Sequence, residues 1–398
     1  MSQCRICSST VREFLDFGSH PLSSAFVSPD ATGEEFRYRL AVGACTSCGM
    51  VQLTEDVPRE RLFHKGYPYH SAGSTVMHAH FEETGRGFLA RELGGPEPFF
   101  VEIGCNDGVT LRTVADAGVR HLAFEPTGVA GGRVHSAFFD AESAAEVRAA
   151  EGPAQVVYSA NTLCDIPGIG AVFEGADILL APDGVFVFED PYLGEILART
   201  SFDQIYDEHV FFFTARSVAS MAACFGFQLV DVERLPVHGG QIRYTLARAG
   251  RRTPTAAVAE LLAEEAARGI GEAAGLDRFG AAVHTVRRDL VALLRDLTAQ
   301  GHRIAGYGAT AKSSTVTNFC GIGPDLVPYV CDTTPSKQGK LTPGMHIPVR
   351  PDTAFRDPYP DYALLFAWNH AEEIMAKEQA FRDAGGRWIL YVPEVHIV

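Results

Sequence analysis

Phe99-Phe100-Val101-Glu102-Ile103-Gly104-Cys105-Asn106-Asp107-Gly108 decides the fold of this chain. The first five residues, mostly apolar, read as a buried strand, and the two glycines mark the turn that ends it. An amphipathic helix is expected just before, over Phe81 to Leu93, and another just after. The same alternation continues outward. Strands are expected at His121 to Phe124, Val156 to Ala160 and Gly184 to Phe188, with helices between them, for example Ala141 to Ala150. Strand and helix alternating in this way build a parallel sheet. Phe227 to Val232 and Ile242 to Arg248 read as two further strands joined by a glycine-containing loop, an antiparallel pair closing one edge.

That closing pair suits a class I methyltransferase sheet better than a simple dinucleotide fold. The turn agrees. Gly104 and Gly108 let the backbone approach a ligand closely, and a G-x-G-x-x-G fingerprint is absent here, which weakens a nicotinamide reading. Glu102, before the first glycine, is placed to accept the methionyl ammonium of S-adenosylmethionine. Glu125 ends the next strand, 21 residues beyond Gly104, where a carboxylate can take both ribose hydroxyls. Asp140, after Phe138-Phe139, is a candidate for the adenine amine. Asn106 and Asp107 in the turn and Asn161 after a strand complete the cofactor candidates.

Upstream, residues 1 to 80 are rich in Cys, His and aromatics. Cys4-x-x-Cys7 and Cys45-x-x-Cys48 stand 37 residues apart. Two such knuckles offer four thiolates to a tetrahedral zinc ion with no open position, so the metal is expected to be structural. Cys105, Cys164, Cys224, Cys320 and Cys331 lack that spacing and are expected to be buried as small apolar residues. The net charge of −15 argues against a nucleic-acid surface. No signal peptide and no apolar run of membrane-spanning length is visible, so the expected location is cytoplasmic.

Downstream, residues 254 to 299 read as helical, with Phe279, Val283, Val286, Leu290, Leu293, Leu294 and Leu297 on one face. A second α/β unit follows, with strands expected at Arg303 to Gly306, Val327 to Cys331, Tyr362 to Ala367 and Trp388 to Val392. Its Gly306-to-Thr317 stretch places glycines, hydroxyls and Lys312 at a helix start, a site for an anion such as a diphosphate. The chain therefore divides into a zinc-binding domain (1–80), a methyltransferase domain (81–252), and a helical linker with a second Rossmann-like domain (253–398).

The densest polar cluster follows the strand at 185–188. Ser201-Phe202-Asp203-Gln204-Ile205-Tyr206-Asp207-Glu208-His209 runs into the apolar Val210-Phe211-Phe212-Phe213. A histidine beside a phenol and a carboxylate, against an apolar wall, has the makings of a tuned base. A second cluster, Tyr67-Pro68-Tyr69-His70-Ser71-Ala72-Gly73-Ser74, offers hydroxyls to sugar oxygens or phosphate, or else packs two domains together.

Taken together, these motifs resemble the sugar C-methyltransferases of antibiotic biosynthesis, which act at carbon 3 of dTDP-4-keto-deoxysugars. The resemblance runs over nearly the whole chain, through the four cysteines, Tyr67 to Ser74, VEIGCNDG (101–108), FEDPYLG (188–194), SFDQIYDEH (201–209), LPVHGGQIRYTLAR (235–248) and GYGATAKSSTVTNF (306–319). It implies a sugar nucleotide held between the last two domains, near Tyr67, Tyr69, His70, Ser71, Ser74 and Lys312. It implies His209 as the base, with Tyr206 and Glu208 around the sugar. In this scheme Tyr206 or a nearby donor steadies the enolate oxygen, and Glu208 orients His209. One position departs from the family: relatives carry a histidine where this chain has Asp165, a further candidate for the substrate pocket. Two other activities stay open, reduction of the 4-ketone by NADPH in the same cleft and methylation of an oxygen or nitrogen. So does a non-enzymatic zinc-knuckle module.

Overall fold

A computed structural model describes residues 2–63, 74–128 and 132–398. The seven-stranded central sheet grows around Phe99–Ile103, whose five residues are all buried. Its order is Phe227–Leu235, Gln241–Arg248, Leu180–Pro191, Ala154–Ala160, Phe99–Ile103, Arg120–Phe124, Val134–His135. The last five pair in parallel. Gln241–Arg248 runs antiparallel to both of its neighbours, the closing pair expected from the sequence. Strands buried on both faces need continuous apolar runs, and Val185 to Phe188 supplies one.

The N-terminal region forms a small antiparallel sheet of Val11–Pro21, Arg37–Cys45 and Val51–Leu53. Its fourth strand comes from far along the chain: Phe211–Phe212 pairs with Val51 and Gln52. The apolar wall after His209 is thus an edge of the N-terminal sheet, and it ties the 201–213 segment to the metal domain. The C-terminal sheet has the order Val349–Arg350, Val330–Cys331, Ile304–Tyr307, Tyr362–Leu365, Arg387–Leu390, His396–Ile397, parallel except for the last strand.

The helical stretch is two helices, Ala256–Arg268 and Ala273–Ala299. Gly269 ends the first with φ +62, a left-handed turn that glycine adopts without steric cost. On the second, Phe279, Val283, Val286, Leu290, Leu294 and Leu297 are buried and Leu293 is half-buried. That face joins one apolar cluster with Leu15, Phe17, Leu40 and Val42 of the N-terminal sheet and Phe319 and Ile347 of the C-terminal domain. Phe202, fully buried in the same cluster, contributes about 2 kcal/mol by its burial. Among the described residues no helix is long and apolar enough to cross a membrane.

Candidate active site

The four N-terminal cysteines converge. The Cys4 and Cys48 sulfurs lie 3.6 Å apart and those of Cys7 and Cys45 3.5 Å. A tetrahedron of sulfurs about 2.3 Å from zinc has edges of about 3.8 Å, so the set fits zinc. The Ile6 and Cys48 amides each point at a cysteine sulfur from 3.4 Å, which would stabilise thiolates. Of the other five cysteines, Cys224 is exposed, contrary to expectation, because it ends the helix Ala215–Cys224 on its solvent side. The remaining four are buried.

Two cavities lie at the carboxyl ends of the central strands. The first is lined by Glu102, Gly104, Asn106, Glu125, Phe138, Phe139, Asn161 and Asp165, among others. Gly104 has φ +72, and a side chain there would collide with Thr162. Glu125 accepts the Asn106 amide at 2.7 Å and the Thr127 amide at 2.9 Å, which fixes its carboxylate at the strand end. Glu102 is buried, and its Oε2 has no hydrogen-bond partner among the described residues. Burial pushes its carboxyl up to about 8, helped by the charges of Glu189, Glu125 and Asp107. An unmatched acceptor in a dry site fits a cationic group. These residues would hold S-adenosylmethionine, which supplies a methyl group on a sulfonium when bound. Asp107 and Gly108 are not among the residues lining this cavity; Gly108 precedes the helix Val109–Asp116 in a left-handed conformation. Asp140 caps the helix Ala141–Glu151, accepting the Ser143 amide at 2.9 Å. Phe138 and Phe139 line the cavity in its place.

The second cavity is the larger of the two. All three domains line it. Ser24 comes from the N-terminal domain, Tyr206, Glu208, His209 and His238 from the middle, and Lys312, Lys337 and His370 from the C-terminal domain. Ser74, Asn161 and Asp165 also line it. Tyr67, Tyr69, His70 and Ser71 lie outside the described residues.

His209 Nδ1 lies 2.8 Å from the Gln204 carbonyl, which can only accept, so this nitrogen carries the hydrogen. Nε2 is then the acceptor, and the Tyr206 hydroxyl donates to it at 2.8 Å. Burial, assisted by the Lys312 charge, pushes the imidazole down to about 3 and keeps it neutral. The orienting place that the sequence assigns to Glu208 is therefore taken by a backbone carbonyl. Glu208 instead accepts the Ser24 hydroxyl at 3.0 Å. Next to it, the Ser23 amide donates to both Asp207 oxygens at 3.1 Å.

Lys312 stands in the first turn of Ala311–Cys320 and makes no hydrogen bond or ion pair with any described residue. Burial lowers its pKa, with Asp203 and Glu208 opposing. Asp203 belongs to the middle domain, yet its Oδ2 accepts Trp368 Nε1 at 2.6 Å and the Tyr391 hydroxyl at 2.7 Å from the C-terminal domain. Thr315 Oγ1 bonds the Ile205 carbonyl at 2.9 Å across the same seam. Asp332, at the strand end where a dinucleotide's ribose is read in such folds, is bonded to the Ala309 and Thr334 amides. That gives the reductase reading no support of its own.

Comparison with known proteins settles the class. Three family models match in succession: a domain described as zinc-binding over residues 4–63, a methyltransferase domain over 84–232, and a C-methyltransferase C-terminal domain over 236–393. The C-methyltransferase NovU of Streptomyces niveus is 35% identical over 412 aligned residues, spanning 100% of this chain and 97% of that one. The chain belongs to the C-methyltransferase family. It is an S-adenosylmethionine-dependent enzyme. Solved structures also match part of the chain. One is an S-adenosylmethionine-dependent methyltransferase from Anabaena variabilis, 16% identical, TM-score 0.34, covering 44% of this chain and 86% of that one. Another is the CcbJ methyltransferase of Streptomyces caelestis, 16% identical, TM-score 0.33, covering 47% and 92%.

For this C-methyltransferase, sequence reasoning had overlooked Ser24, Gln204, Lys337 and His370. Gln204 acts through its carbonyl, which no side-chain pattern reveals. The others sit on separate domains with no local motif. His238, in the loop that joins the two closing strands, also lines the second cavity.

Proposed function

We propose that the enzyme methylates carbon 3 of a dTDP-linked 4-keto-deoxysugar through an enolate, within antibiotic biosynthesis. The observation that carries this reading is the second cavity. It holds a neutral imidazole paired with a phenol, and the buried Lys312 at a helix start, which makes no ion pair among the described residues. Such an arrangement suits a substrate with a weakly acidic carbon at one end and a diphosphate at the other.

A 4-ketone acidifies the hydrogens on the carbons that flank it. His209 Nε2 takes that proton, replacing the hydrogen bond it receives from Tyr206 at rest. The Gln204 carbonyl then faces Nδ1–H of the imidazolium and stabilises it. Lys312 and the free amides of its helix hold the diphosphate.

The test is incubation of dTDP-4-keto-6-deoxyglucose with the pure protein and S-adenosylmethionine, followed by mass spectrometry and NMR of the product. A gain of one methylene equivalent, located on carbon 3, is expected. Methylation on carbon 5 would move the reading to the other side of the ketone. Methylation of a hydroxyl oxygen would overturn it.

A further inference from the structure

The two cavities meet at Asn161 and Asp165, which line both. Methyl transfer must take place across this junction. Asn161 is held there by the Gln241 side chain and by its own amide on the Glu189 carbonyl. Asp165 is held by Cys164, whose thiol donates to Oδ1 at 2.9 Å. Oδ2 is left for the cavity. A carboxylate oxygen of Asp165, the Cys164 sulfur and a His209 ring nitrogen all lie within 4.8 Å of one another. The carboxyl therefore stands beside the base, on the side from which the methyl group arrives.

The Tyr206 hydroxyl donates to His209 Nε2 at rest, so it is released toward an enolate oxygen only as His209 takes up the proton. A donor free from the start of that step must come from elsewhere. We propose that Asp165 is a catalytic residue that acts as a protonated carboxyl, donating its Oδ2–H to the enolate oxygen while His209 takes the proton from the adjacent carbon. The proposal rests on the enolate reading above.

The protonation state follows from the surroundings. Asp165, Asp190 and Asp207 are all buried, and the charges of the latter two disfavour ionisation of Asp165. Burial raises Asp165 well above the ordinary carboxylate range, with Glu208, Asp190 and Asp207 adding to it and the Cys164 thiol opposing. Asp190 is pushed up to about 8 and Asp207 to about 7, mainly by burial. Tyr206, His209 and Lys312 face the same cavity.

The electron count closes. His209 removes the proton, the C–H pair becomes the C=C bond, and the carbonyl pair moves onto oxygen, where Asp165 holds it by a hydrogen bond without giving up its proton. The enolate pair then forms the new carbon–carbon bond as the carbon–sulfur pair returns to sulfur. One proton remains on His209 and leaves to solvent. A neutral acid as oxyanion donor is an established solution for enolising enzymes.

The experiment compares wild type, Asp165→Asn and Asp165→Ala, using dTDP-4-keto-6-deoxyglucose with and without S-adenosylmethionine. Asparagine keeps an acceptor for the Cys164 thiol. Zinc content and S-adenosylmethionine affinity, measured on each variant, establish that the fold is retained. Asp165→Ala is expected to lower kcat by about 10²–10³-fold and to slow solvent-deuterium exchange at the flanking carbon in the absence of the methyl donor. The wild-type kcat should fall as pH rises and Asp165 ionises. Asp165→Asn should lose that alkaline limb, since an amide has no proton to lose, whereas a limb due to Lys312 would appear in the sugar KM. Folded variants with wild-type exchange and an unchanged limb would overturn the proposal. Absence of both methylation and exchange in wild type would instead count against the enolate reading itself.

Discussion

The two cavities of this enzyme are built in opposite ways. The cofactor cavity is largely the work of one sheet: Glu102, Gly104, Asn106 and Glu125 come from two adjacent strands and the turn between strand and helix. The acceptor cavity is assembled from three domains held together by contacts such as Ser24–Glu208, Thr315–Ile205 and Trp368–Asp203. A site made by one contiguous segment depends on local geometry. A site made by distant segments depends on everything that docks them.

The largest effect should come from the metal. The strand Phe211–Phe212, just after His209, is held by the sheet that the cysteines staple. Cys45→Ser should lower bound zinc and abolish methyl transfer, because structural zinc sites contribute folding energy directly. S-adenosylmethionine binding should weaken but persist, as calorimetry would show. If both functions vanish together, the two cavities are not separable.

Lys312→Met should act on the acceptor side alone. A charge-assisted bond contributes about 1.5–3 kcal/mol, so the sugar-nucleotide KM should rise roughly 10- to 150-fold with little change in cofactor affinity. An unchanged KM would remove Lys312 from the diphosphate site.

A smaller effect is expected from His20, buried in the N-terminal domain with its Nε2 3.2 Å from the Phe17 carbonyl. Burial pushes it down to about 4. Its folded value lies below its unfolded value near 6.5, so the unfolded chain binds the extra proton first. The stability that comes from keeping His20 neutral is present above pH 6.5 and is lost as pH falls toward 4. The loss is on the order of 3 kcal/mol at most. His20→Asn should flatten the dependence of Tm on pH over that window. An equal slope in wild type and variant would show that other groups set it.

The contrast between the cavities also explains what could be read from the sequence. The cysteine spacing and the strand–turn–helix around Glu102 were legible because their residues are neighbours in the chain. Residues 201–209 were legible as a cluster, but the partners of its members were not. A backbone carbonyl orients His209, and Glu208 turns toward a serine 184 residues away. The pairing of Phe211–Phe212 with the N-terminal sheet depends on register between distant segments, which local periodicity does not encode. Asp140 did carry a readable signal: Asp140-Ala-Glu-Ser143 before an alanine-rich helix is a cap. The break at Gly269 was signalled by the Gly269-Ile270-Gly271 run.

The most direct test of the account is solvent-deuterium exchange. The sugar nucleotide is incubated in D₂O with enzyme but without S-adenosylmethionine, and the carbons flanking the ketone are read by NMR. The account expects exchange at one flanking carbon with wild type and a near-complete loss with His209→Asn. Full exchange by His209→Asn, or methylation by a wild type that never exchanges that hydrogen, would contradict it.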